Sequence, residues 1–355
     1  MTESCGTPIL SIVIPCYNEA ACLPELHRRV STAAQSVAGS SHEIVLVNDG
    51  SSDPTWEIMA QLGAEDDNVV AINLSRNHGH QLALTAGLDL CRGHYILIID
   101  ADLQDPPELL PDMFAMLHAD KADVIYGVRD RREGETAFKR ASSHLFYRLL
   151  SRLTDTNIPV DTGDFRLMTR RALDTFLAMP EQARFIRGMV SWVGFRQFPI
   201  MYQRESRLAG TTKYSIRKMV RLALDALTGF STAPLKIASQ AGLLLAAASI
   251  IIVLYSLVSW FTGKAVAGWT SLMLVIVSLG AIQMFVLGVI GEYLGRLYHQ
   301  SKNRPLYIVQ DVIGRKTAPA RLGINAAAPD ASLTRRDVPI SGISLAPQDQ
   351  CEKVQ

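Results

Sequence analysis

Two long uncharged stretches constrain this chain more than anything else in it. Between Lys236 and Lys264 lie 27 residues without a charge, and another 27 run from Ala265 to Gly291. A helix needs about 20 apolar residues to cross the hydrocarbon core of a bilayer. Each stretch is therefore long enough to span one, with length to spare for tilt. The alternative is a pair of buried core helices, but soluble core helices rarely run so far without a charge. Trp260 and Trp269 flank the short connection, as aromatic-belt residues do. Arg217, Lys218, Arg221 and Lys236 precede the first stretch, and Arg296, Lys302 and Arg304 follow the second. The connection carries only Lys264, so the positive-inside rule puts both ends in the cytoplasm. Met1 to Gly6 has no basic residue and the apolar run Ile9 to Ile14 is short, so no signal peptide is expected.

Outside these stretches the composition is that of an ordinary protein. Charged residues make up 19% of the chain, below the ~25% typical of soluble proteins, because the apolar excess is clustered. The 35 basic and 34 acidic residues nearly cancel, which excludes nucleic-acid binding by bulk basicity. Five scattered cysteines form no C-x-x-C pair and no zinc-type cluster, which fits a reducing compartment. The chain divides into a domain over 1–212, an amphipathic segment over 213–235, spans over 236–263 and 268–295, a short segment over 296–316 and a tail over 317–355. Lys213, Arg217, Lys218 and Arg221 interleave with Ile216, Met219, Val220 and Leu222, the pattern of a helix lying on a membrane surface. An ordinary surface helix is the alternative. The tail is rich in Ala, Pro, Asp and Ser without periodicity and is expected to be disordered.

The first domain alternates strand and helix signals. Strands are predicted at Leu10–Ile14, Glu43–Val47, Val69–Leu74, Tyr95–Ile99 and Val124–Gly127, with helical spacing between them. That order implies an α/β fold with a mostly parallel, Rossmann-like sheet. Ligands bind such sheets at the carboxyl ends of the strands. Those ends carry Pro15-Cys16-Tyr17-Asn18-Glu19, Asn48-Asp49-Gly50, Ser75-Arg76-Asn77-His78-Gly79 and Asp100-Ala101-Asp102-Leu103-Gln104. Asp49-Gly50 also reads as a simple turn. Asp53 before Pro54 and Asp105 before Pro106 read as helix N-caps. Asp100 and Asp102 are different. Two carboxylates after a buried strand are costly unless a cation joins them. Mg²⁺ or Mn²⁺ takes oxygen ligands and shares them with a diphosphate, and Gln104 adds a neutral oxygen.

The segments IVIPCYNE, VNDGSSD, SRNHGH and IIDADLQDPP, in this order, resemble glycosyltransferase family 2 with its GT-A fold. DTGDFRLMTR (161–170), RLAGTTKYS (207–215), ALTGFSTAPLK (226–236) and the two spans resemble its polyprenyl-phosphate branch. Dolichol-phosphate-mannose synthases and GtrB-type bacterial glucosyltransferases belong to that branch. The resemblance covers residues 9 to about 310 and leaves the tail outside. It implies an inverting transfer of a sugar from a UDP-sugar to polyprenyl (undecaprenyl) phosphate, with glucose favoured by likeness of motif and N-acetylglucosamine, galactose, mannose or aminoarabinose as alternatives. The place would be the cytoplasmic face of a bacterial inner membrane. By the same resemblance, Pro15, Tyr17, Asn18, Glu19, Asp49 and Gly79 would line the nucleotide-sugar pocket. Asp100, Asp102 and Gln104 would hold the metal. Arg129, Arg140, Ser143, Arg207 and Lys213 would face the acceptor phosphate, and Asp161 and Asp164 would lie on the acceptor side. A tetramer follows by analogy with the GtrB type. A processive polysaccharide synthase of the same fold would carry a Q-x-x-R-W motif and more spans, and neither is found here. A non-catalytic membrane scaffold would tend to have lost one of the paired acids.

Overall fold

The computed structural model describes residues 7–130, 162–203, 233–262 and 269–314. Eight strands form one sheet: β1 (Leu10–Cys16), β2 (His42–Asn48), β3 (Val69–Leu74), β4 (Tyr95–Ile98), β5 (Val124–Asp130), β6 (Thr162–Thr169), β7 (Gln197–Gln203) and β8 (Val309–Ile313). Their spatial order is β7-β5-β6-β4-β1-β2-β3-β8. The central four are parallel, as the alternating pattern implies. Around them lie α1 (Leu23–Ala38), α2 (Thr55–Glu65), α3 (His80–Leu90), α4 (Leu110–Ala119), α5 (Arg170–Leu177) and α6 (Ile186–Trp192).

The strands are apolar throughout because helices cover both faces. Side chains alternate across the sheet with a period of two. Leu10, Ile12 and Ile14 of β1 therefore join the core with Leu26 and Val30 of α1, while Val13 joins Leu84 and Leu88 of α3 on the opposite face. The chain runs outward from β1 to β3, then returns to β4 on the other side of β1. The resulting crevice between the carboxyl ends of β1 and β4 is where ligands bind in open α/β sheets.

Three strands were not legible in the sequence. β6 runs antiparallel between β4 and β5, β7 pairs with β5 at one edge, and β8 pairs antiparallel with β3 at the other. β6 lies within a segment that sequence reasoning treated only as a family motif.

Two long helices separate β7 from β8: α7 (Ala233–Phe261) and α8 (Trp269–Ser301). Within α8, Ser278–Ser301 is long and apolar enough to cross a membrane, and none of it is buried. Most of the exposed large apolar side chains among the described residues gather on these two helices, Leu243, Leu244, Ile251 and Phe285 among them. An apolar surface this extensive marks an interaction site. After α8 the chain is tied back to the sheet. Gln300 Nε2 donates to the Pro180 carbonyl at 2.7 Å, and Tyr307 donates to Asp89 Oδ2 at 2.6 Å. The segment 213–232 and the tail beyond residue 314 lie outside the described residues.

Gly50, in the turn after β2, has φ +64°, and a Cβ there would lie 2.5 Å from the Asn77 backbone nitrogen. Only glycine fits both the left-handed backbone and the close approach of the two loops. Gly50→Ala is expected to cost about 1–3 kcal/mol. The unfolding midpoint should drop by several degrees in a thermal melt of the detergent-solubilised protein. An unchanged midpoint would mean that the two loops can separate freely.

Candidate active site

The acidic loop begins where β4 ends. β4 and β6 pair antiparallel with Ile98 opposite Arg166. Carried two residues further, the same register sets Asp100 opposite Asp164. His80, the first residue of α3, touches both acids. Its Nε2 lies 2.9 Å from Asp164 Oδ2 and 3.7 Å from Asp100 Oδ1. Ligand atoms of His80, Asp100 and Asp164 all fall within 4.8 Å of one another.

Asp164 is only 1% exposed, so its charge must be matched locally. Arg187 of α6 does this with a fork, Nε at 2.8 Å from Oδ1 and Nη2 at 3.3 Å from Oδ2. Gln81 donates to Oδ2 at 3.3 Å, and its own carbonyl accepts the Ile186 N–H at 2.9 Å, which locks α6 to α3. Below them the buried Arg166 guanidinium donates to the Asp164 and Gly163 carbonyls. Burial alone would raise the pKa of Asp164. Arg187 and His80 reverse this and hold it well below the usual carboxylate range. Burial also opposes a charge on His80, but the hydrogen bond to Asp164 and the nearby acids push its pKa up to about 9. Burial pushes Asp100 up to about 6, opposed by His80 and reinforced by the charges of Asp164, Asp105 and Asp102.

Asp100 Oδ1 is buried and accepts no hydrogen bond among the described residues. An orphaned carboxylate oxygen of this kind calls for a partner, and a hard divalent cation suits it. Asp102 and Gln104 follow on the same loop, half-buried, with Asp102 Oδ1 accepting the Gln104 N–H at 3.2 Å. They lie outside the His80, Asp100, Asp164 cluster. Leu103 between them is buried at φ +58°, a strained conformation for a bulky residue and a kind that concentrates at functional loops.

On the other side of the crevice the loops after β1 and β2 are stitched together. Asn18, at φ +57°, accepts the Ser52 N–H at 2.8 Å and donates its own N–H to Ser51 Oγ at 3.0 Å. The Glu19 N–H donates to Thr55 Oγ1 at 2.9 Å. Asp49 accepts the His78 N–H at 2.7 Å and the Gly79 N–H at 3.0 Å, fixing the entry to α3. Pro15 is buried within β1, and the Tyr17 ring stands exposed at the rim. Asp53 accepts the N–H and hydroxyl of Thr55, the first residue of α2, while the N-cap position itself is Pro54.

Asp105 requires a correction. The helical turn after it is capped without any side-chain hydrogen bond, so Asp105 is not an N-cap. It is fully buried and accepts the Tyr202 hydroxyl at 2.5 Å, with Arg129 Nη2 3.9 Å away. Of the other residues expected at the site, Arg140, Ser143, Asp161, Arg207 and Lys213 lie outside the described residues. Sequence reasoning assigned no role to His80, Gln81, Arg187 or Tyr202. The SRNHGH segment contained His80, but nothing in its spacing pointed to an acid 84 residues away.

A pH dependence follows for metal-free protein. A group whose pKa is raised on folding stabilises the fold fully below its ordinary value, 6.5 for this histidine, and loses that contribution as pH climbs through about 9. Asp164, held low, contributes constantly over that window. Thermal midpoints in excess EDTA should therefore fall between pH 6.5 and 9.5, and His80→Gln should flatten part of that fall. A parallel fall in both proteins would remove His80 from the account.

Residues 11–177 match the description Glycosyl transferase family 2, and residues 233–297 match the GtrB C-terminal hairpin. The chain is 46% identical to the glycosyltransferase YkcC of Bacillus subtilis, over 86% of this chain and 94% of that protein. It is 38% identical to a prophage bactoprenol glucosyl transferase homolog of Escherichia coli, over 85% and 99% of the two chains. The bactoprenol glucosyl transferase of Shigella phage SfV is 36% identical, over 85% and 98%. The parallel sheet, the acids at its switch point and this near end-to-end likeness agree: the chain belongs to glycosyltransferase family 2.

Proposed function

We propose that the protein transfers glucose from UDP-glucose to a polyprenyl phosphate at the cytoplasmic surface of a membrane. The observation that carries this reading is the likeness to bactoprenol glucosyl transferases, which runs through the catalytic domain and the C-terminal hairpin alike. The acceptor's isoprenoid tail stays in the bilayer and its phosphate sits at the surface. An enzyme that uses it needs its crevice held at that surface, and α7 and α8 present the exposed apolar faces for this. The two helices then form a hairpin that crosses the membrane twice.

The acceptor's phosphate oxygen attacks the anomeric carbon as the bond to the β-phosphate breaks, so UDP leaves and the configuration inverts. The nucleophile is already ionised at neutral pH, so no strong general base is needed. What the chain must supply is position and positive charge, since two anionic substrates meet. Arg129, with Arg140, Ser143, Arg207 and Lys213, holds the acceptor phosphate. Arginine suits this because its planar fork bonds two oxygens at once. Pro15, Tyr17, Asn18, Glu19, Asp49 and Gly79 form the nucleotide side of the crevice. Asp100 and Asp102, with Gln104, would hold Mg²⁺ or Mn²⁺. When bound, the cation neutralises the charge of the diphosphate leaving group. Asp100 is the acid best suited to it, because its Oδ1 accepts no hydrogen bond among the described residues. Asp164 is already held as an anion by Arg187 and His80, and the protonated His80 must lose its proton before it can serve as a ligand.

The test uses full-length protein in detergent, radiolabelled UDP-glucose and undecaprenyl phosphate. Label should move into solvent-extractable lipid and should stop when EDTA is added. Asp100→Asn and Asp102→Asn should each lower the rate by at least roughly 100-fold while the protein remains folded. Label in an insoluble polymer would point to a processive synthase instead. Full activity in EDTA with both acids neutralised would overturn the mechanism. A panel of UDP-sugars tests the choice of glucose.

A further inference from the structure

Tyr202 lies outside the motifs that carry the family resemblance, yet it links Arg129 to the acidic loop. Arg129 on β5 and Tyr202 on β7 are direct register partners in a parallel pair. The Tyr202 hydroxyl accepts from Arg129 Nε at 3.3 Å and donates to Asp105 Oδ1 at 2.5 Å. Asp105 Oδ1 also lies 3.9 Å from Arg129 Nη2. All three side chains are largely buried. Asp105 stands three residues after Asp102, on the loop that begins at the acid pair. A rigid relay therefore runs from the acidic loop through one hydroxyl to Arg129.

The geometry around the relay leaves little freedom. The Tyr202 ring lies over Gly127, where a Cβ would come 2.7 Å from its Cε1. Its edge packs on Phe165 with ring centroids 5.5 Å apart. The Arg129 guanidinium lies over Gly163, the residue before Asp164, where a Cβ would come 2.8 Å from Nη2. Burial opposes the charge on Arg129, but Tyr202 and Asp105 outweigh it and raise the guanidinium pKa.

We propose that Tyr202, anchored by Asp105, is a positioning residue that aims the Arg129 guanidinium and so sets the affinity for the acceptor phosphate. The inference rests on the reading above that Arg129 binds that phosphate. An arginine side chain has many rotamers, and fixing its Nε leaves the far face of the fork in one place. Pre-organisation of this kind raises affinity by reducing what must be ordered on binding. The effect is expected chiefly on the acceptor constant, because Arg129 is the group that the Tyr202 hydroxyl holds.

Tyr202→Phe keeps the ring in its slot and removes only the hydroxyl. Steady-state kinetics of the full-length protein should show KM for undecaprenyl phosphate rising about five- to tenfold, the size of one typical intramolecular hydrogen bond. KM for the UDP-sugar should stay within about twofold. Asp105→Asn, which keeps the shape but weakens the anchor, should shift the same constant in the same direction and serves if Tyr202→Phe folds poorly. Arg129→Lys is the reference. Added to Arg129→Lys, Tyr202→Phe should cost nothing further. Suppose Arg129→Lys raises the acceptor KM and neither relay variant does, or the relay variants raise both KM values equally. The positioning role is then overturned while the reading of Arg129 stands. If Arg129→Lys itself leaves the acceptor KM unchanged, the reading of Arg129 fails and the inference falls with it.

Discussion

An antiparallel strand laid beside a parallel one creates the charge cluster on which the site depends. β4 ends in Asp100, and β6, running the other way, brings Asp164 to the same level of the sheet. A buried carboxylate and a half-buried one facing each other repel and resist desolvation. They persist because cations converge on them from other elements, His80 from α3 and Arg187 from α6. The cluster is thus also a tertiary clasp. It holds α3 and α6 to the end of the sheet, and Gln81 adds a neutral bridge between the same elements.

The arrangement explains why the site can hold so much charge without unfolding. Asp164 is saturated by its partners and stays an anion. Asp100 is left with an oxygen that no donor reaches among the described residues and with a raised pKa. One acid therefore organises the protein and the other stays ready for a ligand. Further along the loop, Asp105 is matched by Tyr202 and Arg129 rather than by solvent. Asp164 and Asp105 each meet a named partner while one oxygen of Asp100 does not, a pattern expected where ionic groups serve a function rather than stability.

The C-terminal strand ties the long helices to this machinery. β8 pairs with β3, and Asp311 accepts from Asn73, whose own side-chain oxygen accepts from Asn48 at the end of β2. Asn48 directly precedes Asp49, which fixes the entry to α3. The Gln182 N–H, in the loop before α6, donates to Gln300 Oε1 at the end of α8. Both the sheet edge and α6 are therefore anchored to the apolar helices, which orients the crevice relative to them.

Much of the fold was legible in the sequence, and the reasons are local. The strands Leu10–Cys16 through Tyr95–Ile98 are short apolar runs with helical spacing between them, and that periodicity needs no distant partner to be read. The uncharged stretches announced two long helices in the same way. Asp100 and Asp102 stood out because two acids after an apolar strand are costly wherever that strand lies. Asp105 was misread because an acid before proline has a local explanation, and only the packing of β7 against β5 exposed the nonlocal one. β6, with Asp164 and Arg166 among its buried residues, lacks the apolar run of a core strand, so its place between β4 and β5 was invisible. His80, Arg187 and Tyr202 each meet their acid across 84, 23 and 97 residues of chain. Periodicity and composition are properties of neighbours along the chain. A charge matched across the sheet depends on strand order and register, and those are decided only when the sheet assembles.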